Sequence, residues 1–240
     1  MKSVARLVVK FACILGFLGL PACAWRAPLP PAQSAAAARR ELAERIRATS
    51  RPAVLFVGNS YSFGVPKAFT RTATERGKPV RTGHATYGGW SLARHAANEA
   101  TLRKIREGRW DIVVLQEYSL VPAMDRRLRE ATMGPPLRDL VTRIRAAGAL
   151  PVLYQTWGRR DGDASRKGDD FHAMTRRVRQ GYAAAARDAG GLVVVPAGDA
   201  WEKEFEEDRG TALFMDDGSH PSAGGDAVTA RTFVETFFGK

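Results

Sequence analysis

Val54-Leu55-Phe56-Val57-Gly58-Asn59-Ser60-Tyr61-Ser62 reads as an apolar strand running into a tight turn that presents a serine. Beyond this strand, Ala53–Val57, the chain alternates between two periods. A helix is expected over Val65–Arg76, ended by Gly77, then a strand over Val80–Thr86. Helical spacing over Ser91–Glu107, with Ser91 as N-cap, leads to a third strand, Asp111–Leu115. Its Ile-Val-Val-Leu centre fits burial on both faces of a sheet. Helix Pro135–Ala147, strand Leu150–Tyr154, helix Phe171–Ala189, strand Leu192–Val195 and a closing helix Pro221–Phe238 complete the pattern. Strands alternating with helices predict an α/β fold, a three-layer α/β/α sandwich around a mainly parallel five-stranded sheet. Ligands of such sheets sit at the carboxyl ends of the strands, where Ser60 falls.

A second stretch, Asp217-Gly218-Ser219-His220-Pro221, lies about 160 residues further on. It sets a carboxylate three residues before a histidine. A histidine can take a serine proton, and an aspartate can fix the imidazole tautomer and stabilise its charged form. Ser60, His220 and Asp217 are therefore candidates for nucleophile, base and orienting acid. The alternatives are a turn serine that caps the following helix, and a helix-entry histidine beside an ordinary acidic loop. Ser62 competes locally with Ser60, and Asp216 with Asp217. The other histidines, His84, His95 and His172, lack an Asp-x-x-His-Pro context.

With these blocks in register, the chain from about Ala53 to its last helix resembles the SGNH (GDSL-like) hydrolase superfamily. Gly58-Asn59-Ser60-Tyr61 stands where that family has Gly-Asp-Ser-Leu, and Asp217 with His220 stands for its last block. The resemblance implies a flavodoxin-like sandwich and ester cleavage through an acyl-enzyme. It also implies an oxyanion hole begun by the Ser60 N–H and joined by a glycine after the second strand. Tyr87-Gly88-Gly89-Trp90-Ser91-Leu92 offers Gly89 for that role, or is a plain Gly-Gly turn. The family's Gly-x-Asn-Asp block is replaced by Leu115-Gln116-Glu117-Tyr118-Ser119. Gln116 could supply the side-chain N–H that asparagine supplies elsewhere, or be a strand-end polar residue. Trp90 and Trp157 are candidate platforms for a sugar ring or acyl chain, or core packing. No metal or cofactor is expected, since no His/Asp/Glu cluster has metal-ligand spacing and no phosphate-cradling loop is present.

The 240 residues suit one domain with an N-terminal extension. Residues 1–22 read as a signal peptide with three basic residues, Lys2, Arg6 and Lys10, before the apolar run Phe11–Leu20. Leu20-Pro21-Ala22-Cys23 resembles a lipoprotein cleavage box with Cys23 as the lipidated residue, while Ala22-Cys23-Ala24 also fits ordinary signal peptidase. Each reading, like an uncleaved anchor, places the domain outside the cytoplasm, in the envelope or beyond. Residues 23–50 read as a Pro/Ala-rich tether and a short helix over Ala36–Thr49; residues 51–240 form the hydrolase-like domain. The two cysteines, Cys13 and Cys23, lie before that domain, which excludes a disulfide framework within it. The net charge of +12 is spread over helix-like stretches such as Arg126-Arg127-Leu128-Arg129, the pattern of solvated faces rather than a nucleic-acid site.

The expectation is an exported serine esterase acting on a small-molecule or glycan ester, with O-acetyl groups as one candidate. Two rivals stand beside it: an acyltransferase with the same site, and a non-catalytic glycan-binding lipoprotein.

Overall fold

A computed structural model describes residues 34–206 and 212–239. The signal peptide, Cys23 and the Pro/Ala-rich part of the tether lie outside the described residues. Helix α1 (Ala35–Arg47) is capped by the Ser34 hydroxyl. Then follow β1 (Ala53–Gly58), α2 (Val65–Glu75), β2 (Arg81–Thr86), α3 (Leu92–Ala96), α4 (Glu99–Glu107) and β3 (Ile112–Leu115). The chain continues through α5 (Arg126–Ala146), β4 (Leu150–Gln155), α6 (Phe171–Asp188), β5 (Val193–Pro196), α7 (Ala197–Glu204) and α8 (Ala223–Phe238).

The five strands are parallel and ordered β2-β1-β3-β4-β5. Alternate residues of β1 serve opposite cores. Val54 and Phe56 face a cluster with α1, α2 and α8, while Ala53, Leu55 and Val57 face one with α5 and α6. Strands buried on both faces give the unbroken apolar runs visible in the sequence. The carboxyl ends of β1, β3 and β4 lie side by side, with Val57 opposite Leu115 and Leu115 opposite Leu153. Loops leaving those three ends can meet above the sheet.

Two expectations need correction, and one helix was absent from them. The helix over Ser91–Glu107 is two helices, because Asn98 interrupts it: its side-chain oxygen accepts the Thr101 N–H at 2.9 Å and caps α4. Helix α5 does not begin at Pro135 but at Arg126, with Pro135 and Pro136 inside it. Met133, on the preceding turn, is buried with Leu137 and Leu140, so packing carries the helix across the lost N–H groups. Helix α7 was not anticipated; it buries Trp201, and its Gly198 passes so close to Thr156 that a Cβ there would lie 2.1 Å from the Thr156 carbonyl oxygen.

Candidate active site

After Gly58, the chain makes one 3₁₀ turn, Ser60–Ser62, capped by Asn59, whose Oδ1 accepts the Tyr61 N–H. Gly58 is required by close approach. A Cβ there would lie 2.5 Å from Gln116 Oε1. From the other end of the chain, residues 215–222 fold back as a short loop, with Met215 N–H donating to the His220 carbonyl at 2.9 Å. These two loops bring together the three residues that sequence reading paired. Ser60 Oγ is 2.9 Å from His220 Nε2, and His220 Nδ1 is 2.5 Å from Asp217 Oδ2. The other Asp217 oxygen accepts the backbone N–H groups of Ser219 and His220, each at 2.9 Å. Desolvation works against the Asp217 charge, but the His220 side chain and these two N–H donors outweigh it and hold its pKa at about 2. The carboxylate is thus charged at neutral pH and aimed at one ring nitrogen, which leaves the other facing the serine.

Both loops have supports that the sequence does not announce. Beneath Ser60 lies a buried polar layer. Gln116 Oε1 accepts the Asn59 N–H at 2.8 Å and the Ser62 hydroxyl at 3.0 Å. His95 Nε2 sits 2.9 Å from the Gly58 carbonyl oxygen, and its Nδ1 meets Thr101. Asn59 Nδ2 donates to the Trp90 carbonyl at 2.9 Å, so the 87–90 turn is tied to the serine loop. An aspartate at position 59 could not make that donation, which gives the asparagine a physical purpose.

Beside His220 the support is aromatic. Tyr61 stacks on Trp157 with ring centroids 5.0 Å apart, and Trp157 stacks on Trp201 at 3.5 Å. The Tyr61 ring meets His220 edge-on at 5.4 Å, and its hydroxyl lies 2.5 Å from Ser219 Oγ. Trp157 Nε1 donates to the Ser219 carbonyl at 3.1 Å.

These contacts correct two expectations. Trp157 is fully buried in the stack, so it positions the histidine loop and has no face free for a sugar or acyl chain. Gln116 is also fully buried, with its Oε1 taken by the Asn59 and Ser62 donors and its Nε2 donating to the Glu117 carbonyl at 2.5 Å. It braces the serine loop rather than offering an oxyanion donor. Gly89 lies exposed on the tied turn with φ +70°, a conformation that favours glycine. Trp90 is half-buried, flanked by Tyr87 at 4.2 Å and backed by His95 at 5.1 Å. Ser62, the local competitor of Ser60, is buried and committed to Gln116.

Other groups around the site carried no clear sequence signal. Of the four large apolar side chains exposed among the described residues, Phe63, Tyr87 and Met215 sit on the loops just described, and only Leu128 lies elsewhere. Glu117 is buried next to Gln116, where its Oε1 takes the Leu92 and Tyr118 N–H groups while burial pushes its pKa up to about 7. Ser91, at the N-cap of α3, makes no side-chain cap of its own.

Solved structures share this architecture. A DUF4886 family protein from Bacteroides uniformis superposes with a TM-score of 0.68 at 20% identity, over 79% of this chain and 84% of that one. The lipase/acylhydrolase from Enterococcus faecalis gives 0.56 at 16% identity, over 77% of this chain and 94% of its own. An acetylxylan esterase from Geobacillus stearothermophilus gives 0.57 at 17%, over 79% and 95%. At such identities the likeness is one of fold: the chain has the fold of the GDSL-like, or SGNH, hydrolases. No family model and no curated protein matches in sequence.

Proposed function

We propose that this protein is a serine esterase that works through Ser60, His220 and Asp217. The observation that carries the reading is the unbroken relay from Ser60 Oγ through His220 to Asp217 Oδ2, with contacts of 2.9 and 2.5 Å. With its Nδ1–H given to Asp217, His220 keeps an Nε2 lone pair for the serine proton. Ser60 Oγ attacks the ester carbonyl, and the proton moves to His220. The negative oxygen meets the N–H groups of Ser60 and Gly89, each such donor contributing roughly 2.7–4 kcal/mol in comparable enzymes. His220 then protonates the departing alcohol. Water attacks the acyl-enzyme with His220 again as base, and the carboxylic acid leaves.

The leader sequence supports an exported or lipid-anchored enzyme and, with it, an ester of the cell envelope or surroundings. An O-acetylated glycan fits that location, and an acetylxylan esterase shares the fold. No metal or cofactor enters the scheme. Transfer of the acyl group to a sugar hydroxyl would use the same relay and differs only in the acceptor.

The test uses protein starting at Trp25, with p-nitrophenyl acetate and p-nitrophenyl octanoate as substrates and a fluorophosphonate to label the nucleophile. Turnover and labelling that both vanish in Ser60→Ala are expected. Labelling that persists in Ser60→Ala would remove Ser60 as nucleophile. Turnover that appears only with an added sugar acceptor would make the protein a transferase.

A further inference from the structure

The loop that leaves β4 carries a cation to the site. Thr156, Trp157 and Gly158 follow the strand, and Arg159 comes next. The backbone there is locked. Gly158 N–H donates to Thr175 Oγ1 at 2.9 Å, and a Cβ on Gly158 would lie 2.6 Å from the Phe171 carbonyl oxygen. Arg159 N–H meets Met174 Sδ at 3.3 Å, and Arg160 N–H donates to the Gly218 carbonyl at 2.8 Å. That last bond sets the loop directly against the turn holding Asp217 and His220. The Arg159 guanidinium lies beside the Tyr61 hydroxyl, in a group with Ser119 and Ser219. Tyr61 follows Ser60 in the chain and touches the His220 ring. Arg159 is therefore one side chain away from the relay on its histidine side.

No carboxylate among the described residues matches its charge. The other arginines of this loop have carboxylate partners, Arg160 with Asp161 and Arg166 with Asp125 and Asp163, as does Arg177 on α6 with Asp169. Arg159 forms no ion pair among the described residues. Yet it is partly buried, and its Nε is fully buried with no hydrogen-bond acceptor. The rest of the guanidinium belongs to a side chain that is only partly buried, so its terminal N–H groups can take an anion from outside. Asp217, the acid across the turn, is already engaged by His220 and two N–H groups.

We propose that Arg159 is a specificity-determining residue that receives a carboxylate borne by the ester substrate. The inference rests on the esterase reading above. The planar guanidinium can take a carboxylate in a two-point contact, and its fixed backbone makes that contact preorganised. The carboxylate can belong to the alcohol portion, as in an acidic sugar, or to the acyl portion, as in a half-ester of a dicarboxylic acid.

Two matched pairs of substrates separate these sources. 3-Acetoxybenzoate against its methyl ester probes the alcohol side, and p-nitrophenyl hydrogen succinate against p-nitrophenyl butyrate probes the acyl side. The wild type should favour one charged ester over its neutral partner by about tenfold or more in kcat/KM, the scale of a hydrogen bond to a charged group. Salt at 0.5 M should shrink that ratio. Arg159→Met should abolish the preference, and Arg159→Lys should restore part of it. A wild type that favours neither charged ester overturns the proposal while leaving the esterase intact. Equal losses on charged and neutral esters in Arg159→Met also overturn it, since Arg159 would then merely support Tyr61. If no ester is turned over and Ser60 is not labelled, the esterase reading fails on its own account. The anion site is then read by melting temperature with 3-acetamidobenzoate against 3-acetamidobenzamide. A rise with the carboxylate that Arg159→Met abolishes supports the site, and its absence overturns it.

Discussion

The two flanks of the site are held by different physics. On the serine side, buried hydrogen bonds do the holding: Gln116 takes the Asn59 and Ser62 donors, His95 meets the Gly58 carbonyl, and Glu117 takes the Leu92 N–H. On the histidine side, the stack Tyr61–Trp157–Trp201 fills volume, and only a few bonds reach the loop. Hydrogen bonds are directional, so they fix where a nucleophile points, but each buried donor left without a partner costs the full desolvation of that group. Aromatic stacks tolerate the loss of a polar tip and fail through lost volume. The same relay thus rests on one support sensitive to chemistry and one sensitive to size.

The largest effect expected falls where the flanks meet. Ser60→Ala and His220→Ala should each lower turnover by about 10⁴–10⁶-fold, and the double variant should be little worse than either, because a relay acts as a unit. Single-turnover kinetics of the three variants check this. Losses that multiply would mean that the flanks act separately. Next comes the aromatic support. Trp157→Ala should cost about 3–5 kcal/mol in urea unfolding, and Trp157→Phe clearly less. If both cost the same, the Trp157 N–H bond to Ser219 matters more than the stack, and the contrast between flanks collapses. Gln116→Leu is the matching change on the serine side. It keeps the volume but strands the Asn59 and Ser62 donors, at about 2–4 kcal/mol. Its mark should be a turnover loss larger than its loss of stability implies, measured on protein shown to be folded at the assay temperature.

Sequence reading reached the sheet and the relay because both are written in local patterns. Strands buried on two faces leave unbroken apolar runs, and the relay residues sit in short blocks at strand-end and helix-start positions. The supports were not legible in this way. Trp157 and Gln116 were correctly placed after β4 and β3, but their side-chain directions depend on what arrives from elsewhere: Trp201 from an unforeseen helix, and Asn59 from the loop after β1. Arg159 is one of many arginines in the sequence, and only its place beside Tyr61 and the Asp217–His220 turn sets it apart. The start of α5 was misplaced because Pro135 fits a first-turn residue, whereas burial of Met133 extends the helix past it.

The smallest effect tests the chemistry of the serine flank by pH. Glu117 Oε1 is occupied by two N–H groups, and its Oε2 is buried without a partner, so burial raises its pKa from the usual 4.5 to about 7. Below about pH 4.5 the folded and unfolded chains both hold this proton, and the group costs nothing. Between about 4.5 and 7 the unfolded chain releases it while the folded chain keeps it, so stability declines as pH rises. Above about 7 the loss is complete, on the order of 3 kcal/mol. Asp226, which burial raises to about 6, contributes with the same sign and leaves a slope of its own. Glu117→Gln keeps an acceptor for the Leu92 and Tyr118 N–H groups and removes the ionisation. Urea midpoints at pH 5 and pH 8 should therefore fall less in Glu117→Gln than in the wild type, and the variant should be the more stable protein at pH 8. An equal fall in both would mean that Glu117 ionises freely in the folded state. The polar layer under Ser60 would then be open to water, and the contrast between a chemically held flank and a sterically held one would lose its basis.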